Sequence, residues 1–134
     1  MQYSPLALAF LGDAVYEQLV REKLLLKANT SANTLHTLSV EKVCAEFQSQ
    51  AVHELIEKGL LDETELDVYK RGRNANGINA PKHSSTAQYR SATGLEALFG
   101  FLKLTDRTQR IEELFRLIWQ LGEDTDGNNI VSNK

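Results

Sequence analysis

From Pro5 onward, apolar residues recur at three- and four-residue steps to about Leu26, the spacing of one face of an α-helix. Ser4 followed by Pro5 supplies an N-cap with proline at the first helical position, so the helix is predicted to start there. After the polar break KANTSANT, a short helical turn is expected to carry Leu35 and Leu38, and Ser39 to cap a longer helix. In that helix Val40, Val43, Phe47, Ala51 and Leu55 recur, with Cys44, Val52 and Ile56 beside them, until Gly59 stops the run. Asp62 with Glu65 three residues on has the pattern of a capping box and opens a helix to about Arg71. The stretch NANGINAPKHSST, with Gly77, Pro81 and several Asn and Ser, reads as a loop and is longer than the usual connection of about 4–6 residues. Helical spacing resumes from Thr86 to Leu104. A last helix, capped near Asp106 or Thr108, carries Ile111, Leu114, Phe115, Ile118 and Leu121 as far as Gly122. No stretch alternates at period two and no internal repeat is present, which predicts an all-α fold: one domain over residues 1–121 and a polar, disordered tail over 122–134.

Two positions break this pattern. Asp13 stands inside the apolar run LAFLGDAV, Leu8 to Val15, with Gly12 just before it. An ionised side chain in a buried helix costs several kcal/mol unless something pairs with it, and a helix-interior glycine costs about 1 kcal/mol against alanine. Glu96 repeats the oddity in YRSATGLEALFGFLKL, Tyr89 to Leu104, with Gly94 and Gly100 close by. On a helix the neighbours of Glu96 are Ala92, Thr93, Phe99 and Gly100, and Ala9 lies one turn before Asp13. Small residues let two helices approach closely, so the spacing predicts a crossing at which Asp13 and Glu96 converge. Two carboxylates repel there, and a divalent cation removes the conflict. Mg²⁺ suits such a place because it takes one or two carboxylates and keeps waters and substrate phosphates as its other ligands. The residues alone leave a structural alternative open, in which each acid accepts hydrogen bonds from a helix N-terminus or pairs with a buried Arg. Glu17, four residues beyond Asp13, is read as a solvated face residue.

Composition narrows the classes. A chain of 134 residues is one domain's worth, and 42% hydrophobic with 25% charged residues is ordinary for a globular protein. No apolar stretch approaches the roughly 20 residues of a membrane span, and no export leader is recognised. The one cysteine, Cys44, has no partner for an internal disulfide and is read as a small buried hydrophobe, so a reducing cytoplasm is the expected location. Net charge is only −3, but it is unevenly spread. Between Val68 and Leu95 there is no Asp or Glu, while Lys70, Arg71, Arg73, Lys82 and Arg90 all fall there; outside it ten basic residues face 18 acidic ones. These cations sit among Asn74 and other Asn, Ser, Thr and Tyr residues, which donate to phosphate and sugar oxygens. A polyanion is the expected partner. His36, His53 and His83 lack zinc-like spacing, and Trp119 is read as core.

With both acids in view, the chain resembles the ribonuclease III endonuclease domain family, whose first signature contains FLGDAV, here Phe10 to Val15. It looks most similar to the Mini-ribonuclease III branch, which lacks a double-stranded-RNA-binding domain. LALAFLGDAVYE, LHTLS, YKRGRNANG and YRSATGLEALFGFL match that branch in order, and the likeness runs from Leu6 to about Leu121. The resemblance implies an all-α homodimer that cuts both strands of double-stranded RNA with Mg²⁺, Mn²⁺ being a substitute. It implies the 23S ribosomal RNA precursor as usual substrate, presented with a ribosomal protein as possible partner. Carried over residue by residue, it makes Asp13 and Glu96 the catalytic, metal-binding carboxylates. The larger ribonuclease III enzymes also carry acids where this chain has Ala9 and Thr93; the smaller branch does not. Lys70, Arg71, Arg73, Asn74, Lys82 and Arg90 are the expected RNA contacts across the A-form minor groove. The alternatives are a non-catalytic, ribosome-associated RNA-binding protein and a helical adaptor whose basic loop docks a protein.

Overall fold

The computed structural model describes residues 3–82 and 85–132, with backbone alone over 124–132. Among the described residues there are six helices and no strand: α1 (Pro5–Lys27), α2 (Ala32–Val43), α3 (Ala45–Glu57), α4 (Glu63–Arg73), α5 (Thr86–Leu104) and α6 (Thr108–Ser132). Several starts follow from local chemistry read in the sequence. The Ser4 hydroxyl accepts from Ala7 N–H at 3.1 Å, with Pro5 next to it. At α4 the capping box is complete: Glu65 N–H donates to Asp62 Oδ1 at 2.8 Å and Asp62 N–H to Glu65 Oε1 at 2.9 Å. No described helix is long and apolar enough to cross a membrane.

Two boundaries differ from the sequence expectation. The segment from Ala32 to Glu57 is not a short turn followed by one long helix. Ser31 caps α2, and the break falls at Cys44, whose extended backbone (φ −68°, ψ 153°) ends α2 and begins α3. Ser39 makes no cap because its hydroxyl donates back to His36 O at 2.8 Å. Cys44 is half-buried at this corner rather than part of the core. The second difference is Gly122, which lies inside α6. It is there for packing: a β-carbon on it would stand 2.7 Å from Lys42 Nζ and 3.0 Å from the Phe47 ring. Of the tail expected to be disordered, the side chains of 124–132 and all of 133–134 lie outside the described residues, as does His83.

The architecture is organised around α5, which packs against α1, α3, α4 and α6 and buries Ser91–Leu95 and Ala97–Gly100. Leu95, Leu98, Phe99 and Leu102 form its contribution to the main core, where Phe99 meets the edge of Tyr16 at a ring separation of 5.6 Å. Trp119 joins the same core from α6, as expected from the sequence. The α1–α5 contact is of another kind, because there the two backbones touch. A β-carbon on Gly12 would stand 1.6 Å from Glu96 O and 2.8 Å from Gly100 N, and one on Gly100 would stand 1.9 Å from Leu8 O. α4 is brought in by the same device, since Gly94 lies under Tyr69, whose carbonyl oxygen is 2.6 Å from where its β-carbon would be. The far end of α4 is pinned to α6 by a buried ion pair. Arg110 donates from Nε to Glu65 Oε2 and from a terminal nitrogen to Oε1, both at 2.7 Å, and also to Leu60 O. Burial pushes the Glu65 carboxyl up, but the hydrogen bonds from Arg110 and from Asp62 N–H outweigh it and hold it below its ordinary value.

The crossing sets an expected stability pattern. Gly12→Ala and Gly100→Ala each force backbone apart and are expected to lose more than about 3 kcal/mol, the upper range for overpacking. Gly59, at φ +67° with open space around it, is expected to lose only about 1 kcal/mol as alanine, the left-handed backbone penalty. Urea denaturation of the three variants checks this; equal losses would contradict the crossing.

Candidate active site

Asp13 follows Gly12, and Glu96 supplies the carbonyl that fills the space Gly12 leaves, so the backbone contact between α1 and α5 carries both acids to one place. Their side chains line a single cleft of about 220 Å³ together with Leu6, Ala9, Phe10, Gly77, Ile78, Asn79, Tyr89 and Thr93. Asp13 is exposed and Glu96 half-buried. Ala9 and Thr93 line the same cleft, and the Thr93 hydroxyl donates to Tyr89 O at 2.9 Å. Two carboxylates are thus adjacent on one cleft.

The electrostatics register that adjacency. Burial of Glu96 and the Asp13 charge beside it push the Glu96 carboxyl up to about 8; a hydrogen bond from Gln48 works against the rise, and one shared with Asp13 and the charge of Glu17 add to it. Like charges held together in a partly dry site favour the protonated form of one of them. Glu17 itself is half-buried rather than fully solvated and pairs with the exposed Arg21 at 2.6 Å. Among the described residues no group of three or more His, Cys, Asp or Glu side chains gathers to hold an ion. The available donor set is therefore two carboxylates opening on a cleft. That set fits a hydrated, oxygen-seeking cation of the Mg²⁺ type, which needs one or two carboxylates and completes its octahedron with waters and phosphate oxygens.

The basic segment meets this cleft through its loop. Gly77, with a left-handed φ of +87°, turns the chain so that Gly77, Ile78 and Asn79 form one wall. Of the cations singled out in the sequence, Lys70, Arg71 and Lys82 are exposed, as is Asn74. Arg71 approaches Asp67 at 3.8 Å, an exposed pair one helical turn apart that contributes little to stability. Arg73 is half-buried, lies over the Tyr69 ring at 5.5 Å and donates to Asn74 Oδ1 at 3.1 Å. Arg90 is turned inward: its guanidinium donates to Arg73 O and Ala75 O, both at 3.1 Å, and closes the C-terminal end of α4. Lys70, Arg71 and Arg73 in the last turn of α4 also complement the negative end of that helix.

Two residues at the site escaped the sequence reading. Gln48, 1% exposed, donates from Nε2 to Val43 O at 2.8 Å and to Glu96 Oε2 at 3.4 Å. In the sequence it is one polar residue on an amphipathic helix, and nothing local marks it. Phe10, on the rim of the cleft, is 85% exposed; the apolar periodicity of α1 concealed that it points outward.

Known proteins similar to this chain identify its family. The ribonuclease III domain matches residues 6–107. Mini-ribonuclease 3 of Symbiobacterium thermophilum is 44% identical over 112 residues, covering 84% of this chain and 85% of that one. Mini-ribonuclease 3 of Clostridium tetani is 38% identical over 128 residues, covering 95% and 83% respectively. A Fusobacterium nucleatum protein solved by X-ray crystallography superposes with a TM-score of 0.79 at 32% identity, over 91% of this chain and 95% of its own. All-helical, with the family's domain spanning five of its helices and relatives of one name along nearly its whole length, the chain belongs to the ribonuclease III family of endoribonucleases, in its Mini-ribonuclease 3 branch.

Proposed function

We propose that this endoribonuclease hydrolyses double-stranded RNA with Mg²⁺, which Mn²⁺ can replace, held by Asp13 and Glu96. The observation that carries the proposal is the meeting of these two carboxylates, 83 positions apart in the chain, on one cleft beside a loop from its acid-free segment. Such a cation, when bound, supplies Lewis acidity that acidifies water and neutralises charge at the scissile phosphate. The protein's own part is to fix that chemistry in space. The Gly12–Gly100 crossing holds the two acids at one separation. The loop at Ile78 and Asn79 closes one side of the cleft, and Phe10 and Tyr89 give it apolar walls. No side-chain nucleophile is required, because water is the attacking group. Lys70, Arg71 and Lys82 provide exposed positive charge for phosphates flanking the cut, with Asn74 as a neutral donor. Arg73 and Arg90 shape the surface behind them through their hydrogen bonds to Asn74 and to the end of α4. A-form RNA presents a wide minor groove with 2′-hydroxyls, so recognition of this sort reads shape more than sequence.

One carboxylate pair per chain cuts one strand, so cleavage of both calls for two chains related by a two-fold axis. Phe10, 85% exposed on the rim of the cleft, supports a homodimer whose interface includes this part of α1. The family resemblance carries the narrower expectation of a 23S ribosomal RNA precursor as the duplex, with a ribosomal protein as presenting partner, in the cytoplasm.

Three outcomes are expected. Asp13→Asn and Glu96→Gln should each lose cleavage of a long RNA duplex by at least about 100-fold, a typical scale for deleting a group that stabilises transition-state charge, while binding and the circular-dichroism spectrum stay as in wild type. Near-normal turnover in either variant would remove these residues from the site. In EDTA, the raised Glu96 carboxyl stabilises the fold while protonated. That contribution is present below the unfolded value of about 4.3 and is lost as pH rises to about 8. Melting temperatures should accordingly fall across that range relative to Glu96→Gln, and Mg²⁺ should restore them; parallel curves would contradict the electrostatic reading. Finally, Lys70→Gln and Arg71→Gln should each weaken duplex binding and flatten its log–log salt dependence by about 0.9 per lost phosphate contact, the value for duplex DNA. An unchanged slope would take α4 out of the interface.

A further inference from the structure

Gln48 is almost wholly buried, and its carboxamide is arranged for donation. Nε2 gives one hydrogen bond to Val43 O and the other to Glu96 Oε2, while Oε1 is buried without a hydrogen-bond partner among the described residues. Exchanging the amide oxygen and nitrogen would set the oxygen against the Val43 carbonyl, an acceptor facing an acceptor at 2.8 Å, so the observed orientation is the one that this contact selects. An orphaned buried oxygen costs about 1–3 kcal/mol, a cost that Met or Leu of similar volume would avoid. What those residues lack is the pair of donors.

The same contact explains the break between α2 and α3. Interrupting a helix leaves carbonyls without intrahelical partners, and Val43, the last residue of α2, has its carbonyl satisfied by the Gln48 side chain from the first turn of α3. The corner at Cys44 thus anchors the Gln48 amide on one side. From that anchor its second N–H reaches α5 and the Glu96 carboxylate.

We propose that Gln48 is a positioning residue for Glu96: its anchored carboxamide holds Oε2 from behind, so that the carboxylate is presented to the cleft in one orientation, with Oε1 left for the cation. This rests on the two-carboxylate reading above. Groups that orient a metal-binding side chain matter for affinity as well as for rate, and their loss commonly costs about 10–100-fold in either.

The test uses the full chain and Mn²⁺ as the probe, with free Mn²⁺ measured by electron paramagnetic resonance. Wild type is expected to bind Mn²⁺, Glu96→Gln to lose that binding, and Gln48→Met to weaken it by about 10-fold or more. In Mg²⁺, Gln48→Met should lower kcat for duplex cleavage and leave KM for the RNA unchanged, a split that loosened packing alone would not give. Mn²⁺ affinity in Gln48→Met equal to wild type would overturn the assignment of Gln48 and leave the carboxylate pair standing. Mn²⁺ binding that survives Glu96→Gln would overturn both. Should Gln48→Met fail to fold, the wild-type side-chain amide resonances of Gln48 answer the question. They are expected to shift on addition of Mg²⁺ and to saturate with it, and resonances that do not move would overturn the proposal.

Discussion

The structure depends on the contact of two backbones. At Gly12 and Gly100, α1 and α5 approach until neither position has room for a single methyl group, and everything at the cleft follows from that approach. Leucines at such a crossing would stand the helices apart and leave Asp13 and Glu96 on separate surfaces. The glycines weaken each helix on its own, by about 1 kcal/mol apiece, and the packing of α5 against four other helices is what tolerates the loss. A site that relied on long side chains to bridge two distant helices would be looser, because each rotatable bond adds freedom that binding must remove. Here the acids leave their helices at the contact itself.

That closeness has an electrostatic consequence. Two carboxylates in one cleft, one of them half-buried, cannot both be comfortably ionised; burial and the Asp13 charge push the Glu96 carboxyl up to about 8. The tension belongs to the folded chain alone. In the proposed function a cation relieves it, and the surroundings of the cleft suit that reading: Gln48 donates to Glu96, the loop from Gly77 to Asn79 walls one side, and Phe10 rims the opening. The ion pair of Glu65 with Arg110 lies away from this place, at the join of α4 and α6. It holds the N-terminal end of the helix whose last turn carries Lys70, Arg71 and Arg73.

How much of this could be read from the sequence depends on the range of the forces involved. Helix starts at Ser4 and Asp62 were legible because caps are local chemistry, the start at Thr86 because helical spacing resumes there, and the two acids because Gly12–Asp13 and Gly94–Glu96 each break the apolar pattern. The break at Cys44 was not. The periodicity runs straight through it, with neither glycine nor proline to mark it, and its stabilising contact is a side chain reaching back from Gln48. Gly122 misled in the opposite sense, since its smallness serves Lys42 and Phe47 across the protein and not a helix end. Arg90 looked like one more surface cation, yet it points inward to the carbonyls at the end of α4. In each case the decisive partner lies on another element, where spacing along one helix carries no information.

Diffraction from crystals soaked in Mn²⁺, with an anomalous difference map, shows whether the glycine crossing makes one cation site out of two helices. The expected result is a peak in the cleft within coordinating reach of both Asp13 and Glu96, absent from Gly12→Ala. A peak bound by one of the two acids alone, or bound elsewhere on the chain with this cleft empty, would contradict it.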